Sequence, residues 1–430
     1  MKKTLGLGLI ILLMVLGTAW AGGKQEAAAK VGPVEIIYYL WDDPTYNQIV
    51  DTFNESQNEV YVKTMVIPAG DYETKLTTLL AGGAEMDAYM QKRQADMFPQ
   101  YANGYIHPLD DLVAKHGYDL EAVLAYESAI RIDGKLLAIP FRGATYYTYY
   151  NRKLFQQAGL PDPDHYVDLN EWTWDRFAQV ANKLASGDGS VYGGLFYIWG
   201  LCHVIPALQN EIDFITPDGE IELDDSVRYS FALRRDLEES KAIWSLIDLK
   251  VTKTHYSKAF YDGNVGMLII GEWFPGQMLK GRDDELLVGY TWNDWAITRL
   301  PCNLPDYRSV GNPTFNHIHV NSKKKDSAFK FISWMGGPLG ARVVAEAGFL
   351  PPIVTPQVIS ALEKAIPDER SLKMFAEGPR VIPTFYSKYG SRVEMMIQSI
   401  IEEYLVEKWT DEELMQRMRV ELNDIIQTTD

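Results

Sequence analysis

Residues 34–90 switch between two hydrophobic periods, and that switching dictates the class of fold. Residues 34–40 are a nearly continuous apolar run of strand length, as expected for a strand covered on both faces. Tyr46, Ile49, Val50 and Phe53 then recur at the spacing of one helix face. Residues 60–66 return to alternation, Tyr72, Leu76, Leu79 and Leu80 mark a second helix closed by Gly82 and Gly83, and residues 86–90 resume as a strand. Strand–helix–strand–helix–strand order requires a parallel sheet with helices on both faces, so the chain is α/β.

The remainder repeats the theme without repeating the sequence. Asp133-Gly134 between apolar runs predicts a hairpin that feeds an aromatic strand at 144–150. Past Asn151 a second α/β region opens. Thr173 caps a helix carrying Phe177, Val180, Ala181 and Leu184, with Asp175 well placed in its first turn. Residues 290–297 and 317–320 read as strands and 326–334 as a helix. In the tail, Met396, Ile397, Ile400, Ile401, Tyr404 and Leu405 share one face, and Thr410 with Glu413 forms a capping box for the last helix. Two α/β lobes joined by strand crossings fit this order.

Ahead of this, residues 1–21 have the layout of a secretory leader. Lys2 and Lys3 form a positive head, an apolar run follows, and Ala19-Trp20-Ala21 is a small-x-small cleavage site. No cysteine lies near that site, so export to a periplasm without a lipid anchor is expected. Residues 22–32 then form a small-residue spacer. The formal charge of −17, with no basic cluster longer than Lys323-Lys324-Lys325, excludes nucleic-acid binding.

Motifs for catalysis are scarce. There is no G-x-S-x-G elbow, H-E-x-x-H, P-loop or C-x-x-C. His317 and His319 share a strand face at the spacing of a metal pair but lack a third ligand, so no metal, cofactor or catalytic residue is expected. Asp42, Asp43 and Glu272 stand beside tryptophans. They suit a paired-carboxylate glycosidase or, equally, acceptors for sugar hydroxyls. Eleven Trp and twenty-five Tyr suit either an aromatic-rich core or half-wet ring platforms that stack on sugars.

The order of segments resembles a known family. After the opening strand and a helix ending in "FNES" come "YETKLTTLLAGGAEMDAYM", "GYIHPLDDL", "DGKLLAIPF", "YYNRKLFQQAGL" and "EWTWDRFAQVANKL". "AFYDGNVGMLIIGEW", "DWAITRLP", "NSKKKDSAFKFISWM" and "AGFLPP" complete the series. This succession is similar to the family-1 extracellular solute-binding proteins of ABC importers, the group that includes maltose-binding protein. Met86 replaces the proline usual before the family's aspartate, here Asp87, and the lipid-box cysteine that many relatives carry is missing.

The resemblance implies a two-lobe periplasmic binding protein fold of type II, its ligand cleft closing by a hinge motion. The first lobe is expected at 33–144 with 296–335, the second at 145–295 with 336–430. Cys202 and Cys302 then fall in different lobes, where free thiols are expected. The implied partners are a carbohydrate and the permease subunits of an importer, with the receptor itself a monomer. A sensor or chemoreceptor as partner, and a secreted glycoside hydrolase using Asp42 and Glu272, remain as alternatives.

Ligands of open α/β sheets bind beyond the carboxyl ends of strands. On that rule Trp41 stacks and Asp42 accepts hydroxyl hydrogen bonds after the first strand, and Gln91 and Arg93 offer donors after the strand ending at Met90. One of Tyr146 and Tyr147 faces the cleft from the crossing strand. Trp199 is a platform in the second lobe. Glu272-Trp273 matches the family position where Trp stacks on sugar. Gly311 and Asn312 bring a backbone N–H and an amide close to the ligand, and Tyr386 in the tail is a further candidate.

Overall fold

The computed structural model describes residues 32–120, 123, 126–143, 145–377 and 380–429. The leader at 1–21, the spacer up to 31 and the boundary residue Ala144 lie outside the described residues. Thirteen strands occur among the described residues: β1 (Val34–Trp41), β2 (Val60–Ile67), β3 (Ala88–Gln91), β4 (Arg131–Ile132), β5 (Lys135–Leu136), β6 (Ile139–Arg142), β7 (Tyr146–Asn151), β8 (Tyr192–Phe196), β9 (Val265–Gly271), β10 (Trp295–Thr298), β11 (Arg308–Val310), β12 (Thr314–Ile318) and β13 (Arg380–Ile382).

The first lobe is built on a five-stranded sheet in the order β2-β1-β3-β12-β6. β1 runs parallel to β2 and β3, while β12 is antiparallel to both β3 and β6. The opening pattern explains this half. Ile36, Tyr38 and Leu40 are fully buried in β1, and the helix Pro44–Ser56 buries Tyr46, Ile49, Val50 and Phe53. Asp43 caps that helix by accepting the Thr45 N–H at 3.0 Å. The predicted hairpin forms as β4–β5, with Asp133 and Gly134 both at positive φ (51° and 74°), the geometry a tight two-residue turn demands.

The second lobe holds a four-stranded sheet in the order β10-β7-β9-β8. β7 is antiparallel to β9 and β10, and β8 is parallel to β9. Here the sequence reading needs correcting. The strand expected at 290–297 begins only at Trp295, because Thr291 and Asp294 form a capping box around a single 3-10 turn. Ala296, expected to open the return to the first lobe, pairs with Tyr150 in the second sheet. The chain therefore re-enters the first sheet only at β12. The helix Pro338–Glu346 is shared between the cores, with Val343 and Val344 in the first and Ala341 and Ala345 in the second. In the tail the capping box forms as read, Glu413 N–H donating to Thr410 Oγ1 at 3.2 Å.

Asp87 clasps the first sheet together. Its Oδ2 accepts the Ile37 N–H of β1 at 2.9 Å, and its Oδ1 accepts the Ser322 hydroxyl, beyond β12, at 2.6 Å. Asp87→Ala leaves both donors unmatched at a buried site. It is expected to lower the unfolding free energy by about 2–3 kcal/mol, read as a lower urea midpoint; an unchanged midpoint would remove the clasp from this account.

Candidate functional site

Two residues of opposite charge meet where the lobes join. Arg142 ends β6 in the first lobe, Glu272 follows β9 in the second, and both are buried. Arg142 donates to Glu272 Oε1 from Nε at 3.0 Å and from Nη2 at 2.8 Å. The other oxygen, Oε2, accepts the Leu350 backbone N–H at 2.9 Å. The Leu350 carbonyl accepts the Gly143 N–H at 2.6 Å. Nη1 of Arg142 donates to the Tyr46 hydroxyl, and the Phe349 ring lies 4.4 Å from the guanidinium. Burial pushes the Glu272 carboxyl up while Arg142 and the Leu350 N–H pull it down; the Arg142 charge is held firmly by Glu272 against its own desolvation.

Glu272 was expected as a ligand acceptor, or as one carboxylate of a glycosidase pair with Asp42. Oε1 accepts twice from Arg142 and Oε2 once from Leu350, and at 1% exposed the carboxylate is turned to the joint. The residue beside it is placed differently. Trp273 is half-buried and packs on both lobe cores. Its indole N–H donates to the Tyr256 hydroxyl at 2.8 Å. Tyr146 meets it edge-on with ring centroids 5.6 Å apart, and Trp199 lies at 5.9 Å. Gly271 makes room for this fold-over, since a Cβ there would sit 2.0 Å from the Trp273 ring.

The remaining candidates separate into those near this aromatic group and those tied up elsewhere. Alternation on β7 sends Tyr146 to the seam and Tyr147 into the core, where its hydroxyl donates to the Phe375 carbonyl at 2.9 Å. Trp41 is only 7% exposed, wedged edge-on against Tyr46 and Tyr72 at 5.0 and 5.3 Å, so it is a wall rather than an open platform. Asp42 is exposed at the end of β1. Gln91 is buried. Its Nε2 donates to the Arg93 carbonyl at 2.8 Å, and its Oε1 has no donor. Arg93 donates to Asp96 at 3.0 and 3.2 Å. Asn312 bonds Thr384 through both ends of its amide, giving Nδ2–H to the carbonyl at 2.9 Å and accepting the N–H on Oδ1 at 3.0 Å. Gly311 beside it is buried at φ +145°. The bonds of Asn312 thus go to the tail, not toward the aromatic group.

The tail closes the seam. The Ser391 hydroxyl donates to Asp96, and the Tyr386 hydroxyl donates to the Arg131 carbonyl, each across the lobes. One turn beyond Ser391, Glu394 on the helix Gly390–Glu407 faces Arg93, Asp96, Glu73 and Lys92 of the first lobe. Burial pushes its carboxyl up to about 7; Arg93 and Lys92 oppose the shift, and Asp96 and Glu73 add to it. Beside it burial pushes the Cys202 thiol up to about 12, which makes it a poor nucleophile.

Arg142, Tyr256, Ser391 and Glu394 escaped the sequence reading. Glu394 left a signal: it lies on the apolar stripe of its helix, spaced four, three and seven residues from buried Gly390, Ile397 and Ile401. Both cysteines are free and buried. The Cys302 N–H donates to the Trp172 carbonyl at 3.0 Å, which puts both thiols against the second lobe and corrects their expected separation. His317 is buried, its Nδ1 2.7 Å from the Leu137 carbonyl oxygen, and His319 is buried near it. Among the described residues no group of three or more His, Cys, Asp or Glu side chains is placed to hold a metal ion. A cavity of about 290 Å³ lies apart from the seam, between Trp174, Gln209, Tyr229 and Asn303.

Comparison with known proteins follows the same outline. The family model for bacterial extracellular solute-binding proteins matches residues 42–341. A binding protein of Brucella abortus is 24% identical over 367 residues, 80% of each chain. The mannitol-binding protein of Pseudomonas aeruginosa is 29% identical over 143 residues, 33% of this chain and 31% of its own. Among solved structures, an ABC substrate-binding protein of Listeria monocytogenes in complex with cycloalternan has a TM-score of 0.76 at 22% identity, covering 92% of this chain and 99% of its own. A sugar transporter of Rhizobium etli in an open conformation has a TM-score of 0.74 at 24% identity, covering 91% and 99%. These similarities establish a shared two-lobe α/β fold.

The interlobe pair makes a prediction of its own. Glu272→Ala strands a buried guanidinium and is expected to lower the unfolding free energy by about 3–5 kcal/mol. Replacing both partners with methionine should restore most of that loss. Urea unfolding of the single and double variants checks both statements, and equal losses would contradict them.

Proposed function

The chain belongs to the bacterial extracellular solute-binding protein family, and from that membership we propose that it is the receptor of an ABC importer, taking up a sugar or polyol between its lobes. The observation that carries the choice of solute is the aromatic group of Trp273, Trp199 and Tyr146 at the seam. Flat apolar rings flanked by polar side chains match a sugar, which has a C–H face to stack and a rim of hydroxyls to bond. The names of two similar proteins, one mannitol-binding and one in complex with cycloalternan, point to the same chemistry.

In this reading Trp273 is the stacking residue and Trp199 and Tyr146 are its walls. Asp42 and Gln91 meet the ligand from the first lobe, and Arg93 is held back by Asp96. Glu272 serves the joint rather than the ligand, and Tyr147, Gly311 and Asn312 serve packing. The protein acts as an exported monomer, free of a lipid anchor, that hands its ligand to permease subunits. It carries out no chemistry on that ligand, a reading supported by its membership of a family of solute-binding proteins. Incubation with oligosaccharides should therefore release no new reducing ends.

A thermal-shift screen over sugars and polyols tests the proposal, because a ligand of the native state raises the melting temperature. Failure of every member to do so would count against it. For a ligand so found, Trp273→Ala should weaken binding by about 1–3 kcal/mol in titration calorimetry, and an unchanged affinity would remove Trp273 from the site.

A further inference from the structure

We propose that Glu394 and Gln91 read hydrogen-bond donors on the ligand from opposite lobes, and that the seam admits neutral polyhydroxyl solutes while turning away their phosphorylated counterparts. This rests on the solute-binding reading above and narrows it. The first observation is a mismatch in Gln91. It is 1% exposed, and its Oε1 is an acceptor without a donor, although its Nε2 is satisfied by the Arg93 carbonyl. An acceptor left this way is costly, and Gln91 ends β3, the strand end at which we place a ligand hydroxyl.

The second observation is Glu394. Its backbone and Cγ abut Gly200, next to Trp199, so closely that a Cβ on Gly200 would lie 2.6 Å from the Glu394 carbonyl oxygen. The side chain is thereby held beside the aromatic walls. Among the described residues, no donor forms a hydrogen bond to its carboxylate. The first lobe thus holds a buried amide oxygen without a donor, and the second a half-buried carboxylate that no protein donor meets.

The cations nearby are engaged already. Arg142 is bonded to Glu272 and Tyr46. Arg93 is paired with Asp96. Lys92 donates to the Ala69 carbonyl at 3.1 Å and lies 3.7 Å from Glu73. Against Lys92 and Arg93 stand Glu73, Asp96 and Glu394, an excess of negative charge that a phosphate would have to join. Juxtaposed like charges discriminate strongly when partly desolvated.

The groups facing Glu394 also set its response to pH. From the first lobe these are Glu73, Lys92, Arg93 and Asp96; from its own lobe they are Tyr146 and Cys202, both kept neutral by burial. Its carboxyl titrates at about 7 without ligand. A hydroxyl donating to the carboxylate favours the ionised form, so binding lowers that value and releases a proton. Affinity should then rise from pH 6 to pH 8 and level off above.

The test is titration calorimetry at pH 7.5 with matched pairs: glycerol and glycerol 3-phosphate, mannitol and mannitol 1-phosphate, maltose and maltose 1-phosphate. The neutral member of at least one pair should bind, with its phosphorylated partner weaker by about a hundredfold or more. Glu394→Gln, shown by its ligand-free melting curve to be folded, should weaken the neutral member by about tenfold and flatten its pH profile. A phosphorylated member binding as tightly as its neutral partner overturns the proposal while leaving the solute-binding reading intact. So does a Glu394→Gln protein with unchanged affinity and unchanged pH profile. Binding by no member of any pair counts against the carbohydrate reading and carries this proposal down with it. The matched pairs decide the charge rule on the unaltered protein, whether or not the variant folds.

Discussion

The Arg142–Glu272 pair is the interaction on which the geometry of the seam depends. It joins the end of a first-lobe strand to the end of a second-lobe strand, and through Leu350 it holds a third segment in the same knot. A buried ion pair is weak evidence of stability, because desolvation offsets much of the attraction. Its better attested use is to fix a register. A guanidinium that must meet one carboxylate, one hydroxyl and the face of Phe349 admits few relative placements of the two sheets. Trp273, the next residue after Glu272, inherits that precision.

The polar groups around the aromatic walls divide by whether they are matched. Groups that fix the joint are matched: Arg142 with Glu272, Asn312 with Thr384, Ser391 with Asp96. Among the described residues, other acceptors are left without a protein donor: the buried Gln91 Oε1 and Gln277 Oε1, the latter on the side chain that bonds Tyr256, and the half-buried Glu394 carboxylate. A binding protein has to keep some hydrogen-bonding capacity in reserve for its ligand, at some cost to its own stability. On this view the unmatched acceptors mark the working surface more clearly than the aromatic rings, which the cores also use.

How much of this was legible in the sequence follows from the range of each interaction. The opening helix was legible because its stripe, Tyr46 to Phe53, is local, and the last capping box because Thr410 and Glu413 are three residues apart. The segment put Trp273 just after a strand, and alternation put one of Tyr146 and Tyr147 out of the core without saying which. The bond of Glu272 to Arg142 was not legible because the two lie 130 residues apart, with nothing in the intervening sequence to announce it. The bond of Asn312 to Thr384 was hidden for the same reason, its partner lying 72 residues on. The lobe boundary slipped because a strand and a 3-10 turn with aromatic residues look alike until the capping box at Thr291 is seen. Glu394 was hidden by its own helix, where a stripe of apolar neighbours draws attention away from one carboxylate among them.

Gly271 and Trp273 have one more consequence. The indole is folded back over a residue without a side chain and is walled by rings from its own lobe, while the first-lobe guanidinium of Arg142 lies 5.6 Å from its centre. Because Arg142 is bonded to Glu272, the residue before Trp273, that cation stays beside the indole for as long as the pair holds. An indole with a cation fixed beside it is an optical gauge of the bond that fixes it, so breaking the Arg142–Glu272 pair would register in the emission of Trp273.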